Sequence, residues 1–466
     1  MQRTLFKKIW DEHVVSHIEG KTSLIYIDRV FLHERTGSVA LKGAEYAKRR
    51  LRNPEQIFCT MDHIVDTTIG RGDETMMPSG KEFITSTRES AKKSNITLFD
   101  IGDPRQGIVH VISAEQGITL PGFTQVCPDS HTCTLGALGA LAWGIGSSEG
   151  EHAIVTKTLA TIEPNTMRVE FNGELGFGVT SKDMILYLIS QYTAAGGSGY
   201  IIEFSGSAID CLSQEARFTL CNMAVEFGAF SSIIAPDDTT IQYVEGRPFS
   251  PKGRDWDAAM KYWRNLKTDS GAFFNKTLSI DCDKIIPQVS WGTSPGHSGP
   301  VTGNVPEPMD APDLNSQRSW KNAIDYMGLI PGTAIEGVPI NGAFIGSCTN
   351  SRISDLRAVA EVVKGRQVAK GVRAVVVPGS TQVKAEAERE GIDRVLQAAG
   401  FEWRESGCSM CFYAGGESFG MEERVISSTN RNFQNRQGPG TRTHLASPTS
   451  VAASAIKGCI ADVRKL

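Results

Sequence analysis

Short apolar segments that alternate with helical patterns constrain the fold of this 466-residue chain more than any other feature. Such alternation is typical of α/β layers built on a largely parallel sheet. Active sites of these sheets gather in the loops at the carboxyl ends of the strands. The spacing of apolar residues predicts strands at 24–28, 56–60, 97–99 and 107–111, and helices at 81–94 and from about 137.

The length of the chain allows two to four domains. We predict three consecutive α/β domains, at residues 1–165, 166–312 and 313–466. The second domain contains a helix at residues 182–192 and ends in a stretch rich in Pro, Gly and Ser, residues 292–312, which we interpret as a linker.

Composition excludes several classes of protein. The net charge of −4 argues against broad nucleic-acid binding. No apolar run approaches the roughly 18 residues of a membrane span, and the N-terminus lacks the apolar core of a secretory signal. Ten cysteines in so long a chain are not a disulfide framework, so a reducing cytoplasm is expected.

Three cysteines in the last third of the chain suggest metal chemistry. Cys348 lies where an apolar strand gives way to a helix, whose free N–H groups and dipole would stabilise a thiolate. Cys408 and Cys411 are separated by two residues, so both sulfurs can reach one metal centre. Three ligands rather than four suggest an iron with an open position, a Lewis acid. A zinc site or simply buried thiols are the alternatives.

Histidines beside aspartates follow the predicted strands. Asp62 and His63 come after one strand, Asp129 and His131 after another, and His110 lies within a third. An Asp-His pair orients the imidazole and favours its protonated form, which suits a general acid. Buried, hydrogen-bonded anchors are the structural alternative for each histidine.

Three further features have both a structural and a functional interpretation. Glu226 follows an apolar stretch and is either a catalytic carboxylate or a solvated helix residue. The Gly-rich stretch 136–146 does not match G-x-G-x-x-G after a strand, so we predict a closely packed helix of small residues. Arg431 and Arg436 lie in a polar loop without Asp or Glu, which suits a di-acid substrate or a solvated face.

Several motifs together resemble the aconitase and isopropylmalate dehydratase superfamily, and the likeness runs almost from end to end. Further details, at residues 116–122 and 443–445, resemble the large subunits of the isopropylmalate dehydratases. The motifs are Thr60-Met61-Asp62-His63, Asp129-Ser130-His131-Thr132, Gly346-Ser347-Cys348-Thr349-Asn350-Ser351, Gly407-Cys408-Ser409-Met410-Cys411 and Asn430-Arg431-Asn432-Phe433.

This resemblance implies a cofactor and a site. One [4Fe-4S] cluster per subunit would be held by Cys348, Cys408 and Cys411, with the fourth iron free to meet the substrate. The three α/β domains would surround the cluster. The residues implied around the substrate hydroxyl and water are Asp62, His63, His110, Asp129, His131 and Glu226, and those implied in substrate binding are His33, Ser130, Arg431 and Arg436.

The resemblance also implies a partner. Aconitase-like proteins carry a further swivel domain that supplies the serine base, and this chain ends at Leu466 without one. We therefore expect an obligate small swivel-domain subunit that provides the base in trans, in a heterodimer. No membrane and no nucleic acid are expected as partners.

The predicted function is a hydro-lyase that isomerises 2-isopropylmalate and 3-isopropylmalate through 2-isopropylmaleate, in leucine biosynthesis. The chain departs from the family after His33, where it continues Glu34-Arg35-Thr36, and at residues 64–78. These departures leave open a related hydratase of citraconate, citramalate or dimethylmaleate. An iron-sensing RNA-binding protein and a structural zinc protein are the alternatives from other classes.

Overall fold

The computed structural model describes residues 2–414 and 416–466. Two compact units are present, and each is assembled from separate stretches of the chain. The first unit comprises Met1–Val65, Ser79–Gly173 and Gly197–Asp281, and the second comprises Asp66–Pro78, Glu174–Gly196 and Cys282–Leu466. The division into three consecutive domains stays a prediction.

The strands are short, as the sequence pattern predicts. In chain order they are β1 (Val14–Glu19), β2 (Thr22–Tyr26), β3 (Arg29–His33), β4 (Ile57–Thr60), β5 (Thr97–Phe99), β6 (Thr124–Cys127), β7 (Leu141–Gly144), β8 (Thr158–Ile162), β9 (Asn165–Asn172), β10 (Tyr200–Ser205), β11 (Ser231–Ile233), β12 (Lys276–Asp281), β13 (Gln288–Ser290), β14 (Ser298–Pro300), β15 (Gly342–Ile345), β16 (Arg373–Val376), β17 (Phe401–Trp403), β18 (Arg424–Ser427) and β19 (Arg442–Leu445).

Helices connect many of these strands. They are α1 (Leu5–His13), α2 (Glu34–Tyr46), α3 (Gly80–Ser94), α4 (Val109–Glu115), α5 (Ser147–Thr156), α6 (Ser181–Tyr192), α7 (Ser207–Asp210), α8 (Gln214–Asn222), α9 (Asp238–Val244), α10 (Arg254–Trp263), α11 (Leu314–Met327), α12 (Ile353–Val363), α13 (Thr381–Glu390), α14 (Ile392–Ala399) and α15 (Pro448–Lys457).

The first unit contains a five-stranded parallel sheet, a four-stranded parallel sheet and a three-stranded antiparallel sheet. Their strand orders are β5-β4-β3-β6-β7, β11-β10-β9-β12 and β1-β2-β8. The central strand β3 is almost wholly buried, as is usual for a parallel sheet covered on both faces.

The second unit is built on another five-stranded parallel sheet, in the order β17-β16-β15-β18-β19. Helix α12 covers it with an apolar stripe that includes Ile353, Leu356, Val359 and Val363. Each of these side chains contributes about 1.5–3 kcal/mol on full burial. The predicted α/β class is therefore confirmed, and so are the predicted positions of α3, α6, β4 and β5 within a residue.

Two predicted elements are wrong. Residues 107–111, predicted as a strand, instead enter helix α4, because the Asp62 carboxylate accepts the N–H of Val109 at 2.8 Å and satisfies the start of the helix. The Gly-rich stretch contains strand β7 after a run of 3₁₀ turns at Ser130–Leu138. Its small residues do serve close packing, since a Cβ on Gly136 would lie 1.8 Å from the Ser232 carbonyl oxygen.

Residues 292–312, interpreted as a linker, carry structure of their own in the second unit. Strand β14 lies within this stretch and pairs with β13 in an antiparallel hairpin, and Val301 and Val305 are buried in the core of that unit. Pro and Gly mark the turns of this hairpin rather than a flexible connection.

Within residues 2–414 and 416–466, none of the helices combines the length and the apolar character needed to cross a lipid bilayer.

Candidate functional site

The strand order of the first five-stranded sheet places histidine and carboxylate side chains where the chain reverses direction. From β3 the chain proceeds outward through β4 to β5, and it then returns to β6 on the other side of β3. In open parallel sheets such a switch point is where ligands bind, outside the carboxyl ends of the strands. His33 ends β3, Asp62 and His63 follow β4, and Asp129 follows β6.

His63 lies between two carboxylates. Its Nδ1 is 2.6 Å from Asp62 Oδ1, and its Nε2 is 3.2 Å from Asp129 Oδ2. Burial opposes ionisation of Asp62, but the charge of His63 and its hydrogen bond hold the pKa of this carboxyl below its usual value. Two flanking carboxylates favour the imidazolium form, which can give up a proton.

Asp129 joins the remaining predicted residues into one network. Its Oδ1 is 2.7 Å from His110 Nε2 and accepts the backbone N–H of His131 at 2.9 Å. Against the effect of burial, His110 and His63 hold the pKa of Asp129 well below its usual value. His131 Nε2 in turn lies 2.9 Å from Glu226 Oε1. The six predicted catalytic residues of this unit therefore form a continuous chain of hydrogen bonds.

The structure corrects one prediction about an individual residue and excludes one alternative. His110 lies in helix α4 rather than in a strand. Glu226 lies in the 3₁₀ turn Met223–Phe227 with a side chain that is only 9% exposed, so it is not a solvated helix residue. The hydroxyl of Ser130, a predicted substrate-binding group, lies 3.3 Å from His131 Nδ1.

His33 packs face to face on His63, with ring centroids 4.1 Å apart. Its Nε2 lies 3.3 Å from the Pro128 carbonyl oxygen and 3.1 Å from the Thr36 hydroxyl. Burial, and secondly the neighbouring His63, lower the pKa of His33 to about 4. His33 is therefore neutral at pH 7, and its buried Nδ1 has no partner within the described residues.

Glu34 was not predicted from the sequence, although it follows His33 directly. Its buried carboxylate accepts the backbone N–H groups of Asp62 at 3.0 Å and of His63 at 2.7 Å, together with those of the next two residues. His33, Glu34, Asp62 and His63 are close enough to hold a metal ion. The Glu34 carboxylate already accepts these N–H groups, and the Asp62 carboxylate accepts the Val109 N–H and contacts His63 Nδ1. The arrangement therefore fits fixed orientation of His63 better than metal binding.

The second five-stranded sheet repeats the same strand order and carries the cysteines. Cys348 follows the central strand β15, and Cys408 and Cys411 follow the edge strand β17. The Cys411 N–H donates to the Cys408 carbonyl oxygen at 2.9 Å, so these two cysteines share one turn. None of the three forms a disulfide, and their residues are 5–6% exposed.

The loop after β18 brings polar groups to the sulfurs. Asn430 Nδ2 lies 3.4 Å from Cys348 Sγ, and the Ser347 hydroxyl lies 3.3 Å from Cys411 Sγ. Arg436 Nη2 lies 3.9 Å from Cys411 Sγ. The Asn430 amide that donates to Cys348 Sγ and the Arg436 guanidinium near Cys411 Sγ both stabilise negative charge on sulfur. Asn430 belongs to one of the family motifs, but its contact with the sulfur was not predicted.

Helix α12 does not supply the thiolate stabilisation that the sequence suggests for Cys348. The helix begins at Ile353, five residues after Cys348, and a helix dipole acts mainly within its first turn. Instead, the guanidinium of Arg352 donates to the Cys348 carbonyl oxygen at 3.0 Å. Ser347 adopts φ +85°, a left-handed conformation that turns the chain sharply after β15.

The donor set fits an iron–sulfur cluster better than one zinc ion. A zinc ion with Zn–S bonds of about 2.3 Å requires sulfurs only about 3.8 Å apart. Within residues 2–414 and 416–466, the potential metal ligands that lie within 4.8 Å of one another are those of the His33 group, so the three cysteines do not form so tight a set. Buried thiols spread around Asn430 and Ser347 suit a larger, thiolate-ligated group.

The arginines of the last segment divide into two kinds. Arg424 donates to the Met327 carbonyl oxygen at 2.8 Å and Arg442 to that of Tyr326 at 3.0 Å, so both are structural. Arg436 lies over the rings of Phe412 and Phe433, at 5.5 and 5.1 Å from their centroids. Its buried Nε has no hydrogen-bond partner in the described part of the chain, which leaves it able to bind an anion.

The hydrogen bonds of Glu417 that hold the turn between Cys408 and Cys411 were also not predicted. The Glu417 carboxylate accepts the Thr67 hydroxyl at 2.6 Å and the Arg404 guanidinium at 3.2 Å, and it accepts the hydroxyl of Ser409 between the two cysteines. Thr67, which lies in the stretch 64–78 noted from the sequence, therefore supports the turn that contains Ser409.

Sequence comparison assigns the chain to a family. The aconitase family (aconitate hydratase) pattern matches residues 7–458. The 3-isopropylmalate dehydratase large subunit 1 of Bradyrhizobium diazoefficiens is 52% identical over 464 residues, covering 100% of this chain and 97% of the relative. The crystal structure of Thermococcus kodakaraensis aconitase X (holo-form) aligns with a TM-score of 0.46 at 11% identity, over 88% of this chain and 84% of that one. The chain belongs to the aconitase family.

Proposed function

We propose that this chain is the large, cluster-binding subunit of a hydro-lyase that interconverts 2-isopropylmalate and 3-isopropylmalate by dehydration and rehydration. The observation that carries the proposal is the likeness to a 3-isopropylmalate dehydratase large subunit along the whole chain. The proposal includes a small partner subunit, a cytoplasmic location and a role in leucine biosynthesis.

The cofactor in this proposal is one [4Fe-4S] cluster held by Cys348, Cys408 and Cys411. When bound, it supplies an iron that is not ligated by cysteine, a Lewis acid for the hydroxyl and a carboxylate of the substrate. The contacts of Asn430 and Ser347 with two of the sulfurs support this assignment.

His63 is the proposed general acid. Held between Asp62 and Asp129, its imidazolium donates a proton to the departing hydroxyl and takes it back during rehydration. Asp129 stays ionised between His63 and His110, so the charge that favours the imidazolium is permanent. His131 and Glu226 extend this network and serve the water.

Arg431 and Arg436 are the proposed carboxylate-binding groups. The proton that must leave lies next to a carboxylate and is weakly acidic, so its removal requires cations that stabilise the charge developing on that carboxylate. The guanidinium of Arg436, fixed between two aromatic rings, needs little reorganisation for this task. The base that removes the proton comes from the small subunit.

The direct test is anaerobic purification of the chain together with its small partner, followed by an assay of 2-isopropylmalate isomerisation. We expect a brown protein with about four iron atoms per chain and activity that a chelator abolishes. A colourless zinc protein, or a complex without hydro-lyase activity on any di-acid, would overturn the proposal.

A second substrate class belongs in the same assay. The chain departs from the family's usual sequence after His33 and at residues 64–78, and part of the latter contacts the cysteine turn through Thr67. Citramalate and dimethylmalate should therefore be compared with isopropylmalate under identical conditions. A higher kcat/KM for either one would reassign the substrate while keeping the reaction.

A further inference from the structure

Helix α6 carries a lysine that is entirely buried. Lys182 is 0% exposed, and its ammonium donates to the carbonyl oxygens of Ser428, at 2.9 Å, and Thr429. A buried lysine ordinarily has a carboxylate partner, because removing its charge from water is costly. Within residues 2–414 and 416–466, Lys182 makes no ion pair.

The two carbonyl groups belong to the turn that serves the cysteines. Ser428 and Thr429 follow β18 and immediately precede Asn430, whose amide contacts Cys348 Sγ. The Ser428 hydroxyl also accepts the Gly346 N–H at 3.1 Å, two residues before Cys348. Lys182 therefore forms hydrogen bonds with Ser428 and Thr429, and Ser428 in turn connects the Asn430 turn with the Cys348 loop.

The negative charges around Lys182 are either already partnered or belong to the cysteines. Its electrostatic neighbours are Asp355, Cys411, Asp183 and Cys348. Asp183 accepts the Gln288 N–H at 2.8 Å, and Asp355 accepts the Arg352 N–H at 3.1 Å. Burial lowers the pKa of Lys182 to about 7, so a stable ammonium at neutral pH needs an anion nearby.

We propose that Lys182 is a positioning residue and a built-in counter-charge of the cysteine site, which holds the turn 428–430 and raises the reduction potential of the cluster bound there. This inference rests on the proposed function, because it concerns the cluster. A fixed cation stabilises the reduced, more negative form of a nearby cluster.

The chain offers a matched control. Lys157, in the first unit, is also 0% exposed, and its ammonium donates to the Asp28 carbonyl oxygen at 3.0 Å. Its electrostatic neighbours are Arg29, Asp28 and Glu55, with no cysteine among them. Lys157→Met therefore reports the general cost of removing a buried lysine.

The test uses the full chain after anaerobic reconstitution with iron and sulfide, as wild type, Lys182→Met, Lys182→Gln, Lys182→Arg and Lys157→Met. Iron and sulfide are counted per chain, and the midpoint potential is measured by redox titration followed by electron paramagnetic resonance. We expect a more negative potential for the Lys182→Met and Lys182→Gln variants and an unchanged potential for the Lys182→Arg and Lys157→Met variants. The Lys182→Met variant, which cannot donate, should also lose iron to a chelator several-fold faster than the Lys182→Gln variant.

The outcomes separate this inference from the function it rests on. If wild type and the Lys182→Gln variant have the same potential, or if the Lys182→Arg variant shifts as far as the Lys182→Gln variant, the counter-charge role is overturned. If Lys182→Met does not fold, the Gln and Arg pair still decides the question. A wild-type chain that takes up no iron and sulfide overturns the proposed function and this inference together.

Discussion

The two five-stranded parallel sheets of this protein have the same strand order and carry different chemistry. In each, a central strand is followed outward by two strands, and the next strand returns to the other side of the centre. Around the switch point of the first sheet lie imidazoles and carboxylates, whereas loops of the second carry three thiols, an amide and a guanidinium. The scaffold fixes where side chains meet, and the loop sequences decide what they can do.

The two units differ in the partners of their reactive side chains. In the first unit His63, His110 and His131 each have a carboxylate neighbour, so the site is a closed network suited to holding and moving a proton. In the second unit Cys348 Sγ accepts from the Asn430 amide at 3.4 Å, and Cys411 Sγ lies 3.9 Å from the Arg436 guanidinium. A nearby donor and a nearby cation both favour the thiolate, which is the form of cysteine that binds a metal.

The largest effect is expected from removing one sulfur of the second unit. Cys408→Ser should abolish cluster binding and activity, because serine is a poor replacement for a thiolate on iron, while most of the fold remains. Iron and sulfide analysis with circular dichroism would measure both properties. Cys282→Ser, which alters a buried cysteine of the same unit outside the motif, is the control. Full activity of Cys408→Ser after treatment with a chelator would contradict the assignment.

A large effect on rate, with the cluster retained, is expected from the first unit. Asp129→Asn removes the carboxylate shared by His63 and His110, so kcat should fall by about 10²–10⁴-fold, as on loss of a general acid. Steady-state kinetics with a parallel iron determination would show this. Asp103→Asn, which alters a carboxylate that pairs with Arg105, should retain wild-type kcat. Cluster loss in the Asp129 variant would instead indicate that the two sites are not separable.

A moderate effect is expected on substrate binding. Arg436→Lys keeps the charge but loses the planar fork that would hold the substrate carboxylate, so KM should rise about tenfold or more. The value of kcat should fall as well, because the same guanidinium is proposed to stabilise the charge that develops during proton removal. Arg442→Lys, which replaces a structural arginine, is the control and should leave KM unchanged. An unchanged KM for Arg436→Lys would remove this residue from the substrate site.

The smallest expected effect is on the free energy of unfolding at acid pH. One buried histidine in each unit should contribute to it in the same way. Burial lowers the pKa of His33 to about 4 and that of His444 to about 3, whereas unfolded histidine titrates near pH 6.5. As the pH falls below about 6.5, the unfolded chain takes up protons that the native chain does not, so stability is lost. Each histidine contributes up to about 1.4 kcal/mol per pH unit to this loss.

Urea unfolding at several values between about pH 4.5 and pH 6.5 would test this expectation, because unfolded histidine gains its proton across that range. His33→Asn and His444→Asn should each flatten the dependence of the unfolding free energy on pH. His152→Asn, which replaces an exposed histidine in the first unit, should leave the slope unchanged. A steeper slope in either buried-site variant would mean that the native state, rather than the unfolded chain, takes up the protons.

The sequence determined the class of the fold and the identity of the reactive groups. Apolar periodicity located α3, α6, α12, β4 and β15 because their buried faces have regular spacing. Motif spacing identified the three cysteines and the Asp-His pairs, since these are local properties of the chain. Neither the helix at His110 nor strand β7 followed from local pattern. The first depends on Asp62, distant in sequence, which accepts the N–H of Val109, and the second depends on pairing with β6.

Only the tertiary structure decided which of these groups contact one another. The hydrogen bond between His131 and Glu226 spans 95 residues, and that between Thr67 and Glu417 spans 350. No local spacing encodes such contacts, because each depends on the strand order that brings separate loops together. For the same reason, the buried ammonium of Lys182 acquires its relation to Ser428, and through it to the cysteine loop, only when the chain has folded.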